Sequence, residues 1–176
     1  CARWCHCQSL PVAPGAVIFD LLPCGVFDAR PTAEMGMQAC GAAQTFVAEG
    51  SVGAGTGATV GKAAGPQFAM KGGVGTASLS GPGGLIVGAL MVVNAAGSVY
   101  DRRTGQVVAG ARTADGNGLE NPFAVIRTPG SVEPAELSNT TIGVVATNAG
   151  LTKAQAKRVA IMAQDGFAGA IFPSHT

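Results

Sequence analysis

The chain has 176 residues, a formal net charge of +1, and 12% charged against 47% hydrophobic residues. That length supports one core without needing two, and the balance excludes a disordered chain. The near-zero charge gives no electrostatic case for nucleic acid or an anionic membrane. No apolar run reaches 18 residues without a Gly or polar interruption, so no membrane span is expected. Aromatic residues make up 5% and glycines number 27, so the core must pack through small side chains.

Five cysteines fall within the first 40 residues: Cys1, Cys5, Cys7, Cys24 and Cys40. Cys5-His6-Cys7 offers soft ligands, but it lacks the second paired half that a closed zinc site needs. An odd count also argues against a complete disulfide framework. Neither a metal nor a cofactor is therefore expected. Residues 16–22 form a short apolar run between Pro14-Gly15 and Pro23, which reads as a strand. Pro31-Thr32 then opens a helix whose apolar stripe is Ala33, Met37, Cys40, Ala43 and Val47, ending near Gly50.

Residues 50–84 are rich in glycine and read as loop with short strands. Residues 85–93 are continuously apolar, as in a buried strand. Asn94 follows at once, and then an Ala-Ala-Gly turn. Residues 101–139 carry most of the mid-chain charge and read as a long exposed connection, functional or mobile at that length. Residues 141–147 form the next strand. Thr152 with Gln155 makes a capping box ahead of a helical stripe at Ala156, Val159, Ala163, Phe167 and Ala170. No repeat of solenoid length is visible.

Thr140 is the residue with the most chemistry to offer. It lies between a loop rich in Pro and Gly and an apolar β-branched run. If the Asn139–Thr140 bond were cut, one residue would carry both a hydroxyl nucleophile and a free α-amine. The amine titrates near pH 7.7–8.0, roughly the operating range, so it can take the hydroxyl proton without a histidine. The alternative is a loop entering a strand, with threonine chosen for β-propensity. Between Gly50 and Tyr100 the only charges are Lys62 and Lys71. Each is either solvated, paired with a distant carboxylate, or desolvated, in which case its pKa falls and it serves chemistry. Asn94, at a strand end, needs hydrogen-bond partners, and capping the turn would supply them.

Other machines do not fit. Gly53-x-Gly55-x-x-Ala58 follows a helix, not a strand, and no acid lies about 20 residues on, so a dinucleotide site is excluded. The run ending Gly61-Lys62 has Thr56 and Ala63 where a phosphate loop needs Gly and a hydroxyl. No G-x-S-x-G elbow exists. The only histidines are His6 and His175, which leaves no Ser-His-Asp arrangement.

The run S-N-T-T-I-G-V-V-A-T-N-A (138–149) resembles the cleavage-site signature of the P1 family peptidases, the DmpA-like L-aminopeptidase/D-esterases with their β-aminopeptidase and nylon-oligomer hydrolase relatives. Three further strings agree in order: V-A-P-G-A-V-I-F-D (12–20), M-K-G-G-V-G-T-A-S (70–78) and V-G-A-L-M-V-V-N-A-A-G (87–97), with F-P-S-H-T (172–176) closing. The resemblance covers residues 11–176, and residues 1–10 match nothing in it. It implies an α/β fold of stacked sheets with outer helices (αββα), incomplete in this chain. It implies one hydrolase domain, with residues 11–139 belonging to the α-chain and 140–176 to the start of the β-chain.

The implied function is that of a self-processing N-terminal-threonine aminopeptidase or amidase, cut at Asn139–Thr140. It would release N-terminal residues from small peptides, amides or esters. Thr140 would be the nucleophile, Asn94 the oxyanion donor and Lys62 a tuning group. Asn148 would orient the ammonium, and Lys71 lies in a matching string without a defined role. The resemblance further implies a cytoplasmic homo-oligomer of processed αβ units. In the family an acidic D-G-D-T segment follows the position of Thr176, so the chain reads as an internal fragment, expected to be inactive alone. The alternatives are an ornithine acetyltransferase-like acyl transferase, which also exposes an N-terminal Thr, and a non-catalytic glycine-rich binding module.

Overall fold

The computed structural model describes residues 15–20, 25–128 and 139–174. Of the cysteine cluster only Cys40 lies within them, and His6 and His175 lie outside. The described chain is a mixed α/β arrangement of three small antiparallel sheets and three helices.

Helix α1 (Ala33–Gly41) starts where the sequence places it, because the Thr32 hydroxyl accepts from the Met35 N–H and satisfies one of the open donors of the first turn. It stops well short of Gly50, and none of its residues is buried. Without tertiary packing, an apolar periodicity does not extend a helix past Gly41. Residues 16–20 are irregular, not a strand, and residues 21–22 lie outside the described residues.

The glycine-rich stretch carries more strand than its composition suggests. Strands β1 (Thr59–Val60) and β2 (Met70–Lys71) pair as a short ribbon. Strand β3 (Gly73–Ser80) forms an eight-residue hairpin with β4 (Ile86–Val93). Alternating Val74, Thr76 and Ser78 supply the β-branched or polar pattern that glycines obscure by composition. β4 is the central strand of its sheet, with β7 (Ile142–Thr147) on its other side. The expected strand is therefore present, but only Val92 in it is buried and its first residues are exposed.

The Ala-Ala-Gly segment after Asn94 is not a free turn. It is buried, and it feeds directly into β5 (Ser98–Tyr100). Residues 101–128 of the expected long connection are structured, with β6 (Val107–Ala109) pairing to β5 and helix α2 (Pro122–Arg127) capped by Asn121, and residues 129–138 lie outside the described residues. Helix α3 (Lys153–Ala170) begins with both reciprocal hydrogen bonds of the capping box. Its C-terminal end runs straight into β8 (Ile171–Phe172), the other neighbour of β5.

The core lies where β1, β5, β8 and the end of β4 meet. Val60, Ala95 and Ile171 are buried there, with Met70, Val93, Val99, Ala109 and Phe167 packed around them. Burying side chains such as Val60 and Ile171 is worth about 1.5–3 kcal/mol each. Phe123 of α2 stacks on Phe172, with ring centroids 4.4 Å apart, tying the α2 segment to β8. Close backbone approach at this centre requires glycine. Gly61 is left-handed (φ 78°), and a Cβ there would run into the Gly110–Ala111 backbone. Gly97 is crossed in the same way by the Phe172–Pro173 backbone.

Candidate active site

Antiparallel pairing of β4 and β7 sets Val92 opposite Ile142. Asn94 directly follows β4, and Thr140 lies two residues ahead of β7. The segment that follows Asn94 and the one that carries Thr140 meet in space, although they are far apart in sequence. Ala95, Ala96, Asn139, Thr140 and Thr141 line one open cavity of about 210 Å³, which is also lined by Gln164 and Phe167 of α3 and by Ile171, Pro173 and Ser174.

Asn94 is 1% exposed. Its Oδ1 accepts from the Thr59 N–H at 3.0 Å and from Lys62 Nζ at 2.6 Å. Two obligate donors on one atom fix the orientation of the amide, so Nδ2 is its donating end on the other side. Lys62 is held in place by its backbone neighbours. The Gly61 N–H donates to the Gly97 carbonyl at 3.0 Å, and the Ala63 N–H donates to the Ala96 carbonyl at 2.9 Å. The segment carrying Lys62 is therefore hydrogen-bonded to the one that follows Asn94. Among the described residues Lys62 makes no salt bridge, and burial lowers its pKa from 10.5 to about 8. Of the three states open to this lysine, it occupies the desolvated one.

Lys71 is exposed on β2 and takes no part in these hydrogen bonds. Asn148 does not reach the cluster, which corrects the expectation that it orients the Thr140 amine. Its Oδ1 accepts from the Ile86 N–H at 2.8 Å, and its Nδ2 donates to the Gly84 carbonyl at 2.9 Å. It clamps the start of β4 at the opposite end of the sheet, because a strand carries its eighth residue roughly 26 Å away.

Sequence reasoning missed three contributors. Thr59 fixes Asn94 through its backbone N–H, which no side-chain pattern signals. Gln164 and Phe167 enter the cavity from α3, where Phe167 reads only as part of an apolar stripe. Two polar atoms at the cavity, Asn139 Oδ1 and Thr141 Oγ1, are buried without a hydrogen-bond partner.

Chemically, the described residues offer a hydroxyl at Thr140 and, at Asn94, an oriented amide bonded to a lysine whose pKa is about 8. No group of three His, Cys, Asp or Glu side chains that could hold a metal ion occurs among the described residues. No described helix is long and apolar enough to cross a membrane.

Comparison with known proteins places the chain in a family. Residues 6–176 match the family model described as Peptidase family S58. An uncharacterised aminopeptidase of Mycobacterium tuberculosis (strain ATCC 25618 / H37Rv) is 43% identical over 186 residues, covering 95% of this chain and 48% of that protein. An uncharacterised aminopeptidase of Mycobacterium leprae (strain TN) is 46% identical over 182 residues, covering 95% of this chain and 46% of that protein. The chain spans about half the length of these curated relatives.

Proposed function

Since this chain belongs to peptidase family S58, we propose that it carries the reacting centre of a self-processing aminopeptidase whose nucleophile is Thr140. The observation that carries this reading is the cavity that Thr140 shares with Ala95 and Ala96, the residues that follow the Lys62-bonded Asn94. The names of the relatives support an aminopeptidase over an acyl transferase or a binding module. The whole protein has the αββα arrangement of stacked sheets that the resemblance implies.

Processing comes first. The Thr140 hydroxyl adds to the Asn139 carbonyl carbon and gives up its proton. The Asn139–Thr140 C–N bond then breaks, and the Thr140 nitrogen takes a proton to leave as an amine, so the acyl group has moved from N to O. Water hydrolyses the resulting ester, leaving an Asn139 carboxylate and a free Thr140 α-amine. In the precursor that nitrogen is an amide and cannot act as base. Lys62, bonded to Asn94 and about one-tenth neutral at pH 7 with its pKa near 8, is the group assigned to exchange the proton.

Hydrolysis repeats the chemistry on an external substrate. The Thr140 amine accepts the hydroxyl proton, the oxygen attacks the acyl carbon, and the protonated amine returns the proton to the leaving group. Asn94 Nδ2 donates to the oxyanion of the tetrahedral intermediate, a contribution of about 3–4 kcal/mol in comparable sites. The Lys62 bond to Oδ1 holds that amide in its donating orientation and adds positive charge behind it.

Substitution at Thr140 tests the assignment in the full-length protein. Thr140→Ser should retain measurable hydrolysis of aminoacyl anilides. Serine keeps the oxygen but lacks the β-branch that restricts χ1. An alanine variant that still hydrolyses these substrates at the wild-type rate would remove Thr140 from the mechanism.

A further inference from the structure

Thr141 is the one residue of the pre-strand segment that lines two cavities at once. It borders the 210 Å³ cavity at Thr140 and also a groove of about 530 Å³ between α3 and the β4–β7 face. The groove is apolar over most of its wall, with Leu90, Val92, Val145, Val159 and Ala163 among its lining. Gln164 and Phe167 border both spaces as well, so the two adjoin at a neck that these three residues form. Residues 139–141 precede β7 and are not in a regular strand, so strict alternation does not turn Thr141 away from the cavity that Thr140 lines.

The Thr141 Oγ1 atom is buried at this neck without a hydrogen-bond partner. A buried hydroxyl left unpaired is costly, and a strand interior would take valine at that position without the cost. A polar atom kept at the junction of a reacting cavity and an apolar groove has the arrangement of a ligand-orienting group in an otherwise apolar site.

We propose that Thr141 is a substrate-positioning residue, and that the substrates are amides of apolar amino acids. Its hydroxyl hydrogen-bonds the polar backbone of the acyl residue at the neck while the groove beneath α3 receives that residue's side chain. This rests on the aminopeptidase reading above and deepens it. The acyl carbon then lies on the Thr140 side of the neck and the side chain on the other.

The test uses full-length, processed protein with L-leucyl and glycyl p-nitroanilide. Wild type should prefer the leucyl substrate by at least about tenfold in kcat/KM, in keeping with what a filled apolar pocket contributes. Thr141→Val, isosteric and suited to a strand, should raise KM for the leucyl substrate about tenfold while leaving kcat nearly unchanged. Thr141→Ser, which keeps the hydroxyl, should stay within about threefold of wild type. Ala160→Phe, at an exposed position on the groove wall, should reduce leucyl turnover about tenfold and spare glycyl turnover.

An unchanged KM in the valine variant would overturn the proposal, as would a wild-type preference for glycyl. A leucyl-to-glycyl ratio unaltered by Ala160→Phe would overturn it too, even if the valine variant failed to fold. Wild-type protein with a free Thr140 terminus and no activity on either substrate would instead bring down the aminopeptidase reading beneath it.

Discussion

Replacing Lys62 with methionine separates the lysine's chemical role from its structural one. Methionine keeps the length and apolar stem and removes only the charge and the donor. Asn94 Oδ1 would still accept from the Thr59 N–H, so the buried amide is not left without a partner. Burial lowers the Lys62 pKa from 10.5 to about 8, which means the unfolded chain binds this proton more tightly than the folded one. Stability from this group is fully present above about pH 10.5 and is lost as pH falls through about 8. The wild type should therefore gain stability between pH 8 and 10 through Lys62, and the variant should not.

For a half-buried group partly screened by solvent, that differential gain is about 1–2 kcal/mol. Urea denaturation of both proteins from pH 7 to pH 10 reads it as a steadily widening gap in favour of wild type, since all other titrations cancel in the difference. Processing and hydrolysis should fall in the variant at every pH, including neutral pH, where its stability compares best. A gap that stays constant across this range would refute a desolvated Lys62. Normal processing in the variant would refute its part in the chemistry.

Asn94→Ala should lower kcat on the order of 100- to 1,000-fold with little change in KM, because an oxyanion donor acts chiefly on the transition state. A variant with lowered melting temperature and normal kcat would leave Asn94 with the turn-capping role alone. Asn148→Ala should do the reverse, lowering stability by about 1–2 kcal/mol through two lost hydrogen bonds to Ile86 and Gly84 while leaving kcat intact. A collapse of kcat in a well-folded Asn148 variant would contradict its placement at the far end of the sheet.

The candidate residues that sequence could single out were those whose chemistry is local. A hydroxyl beside a cuttable bond, a polar residue ending an apolar strand and lysines without nearby counter-charges are all visible in one dimension. That Lys62 is the desolvated lysine and Lys71 the exposed one was not visible, because burial depends on the 61–63 segment bonding to residues 96–97. Asn148 misled for a related reason. Its closeness to Thr140 in sequence became distance in space, since an extended strand carries successive residues away from each other.

Among the elements, α3 declared itself through a capping box and a long stripe. β3 did not, because glycines masked a strand that is defined by its pairing with β4. β5 and β8 went unseen because two or three residues carry no periodicity, and only their mutual pairing makes them strands.

Cleavage at Asn139–Thr140 is the claim on which the rest depends. N-terminal sequencing and intact-mass measurement of the purified full-length protein, beside its Thr140→Ala variant, test it most directly. The account predicts two fragments in the wild type, one beginning Thr-Thr-Ile-Gly, and a single uncut chain in the variant. A wild-type protein that hydrolyses aminoacyl amides while remaining uncut, or that is cut at another bond, would contradict it.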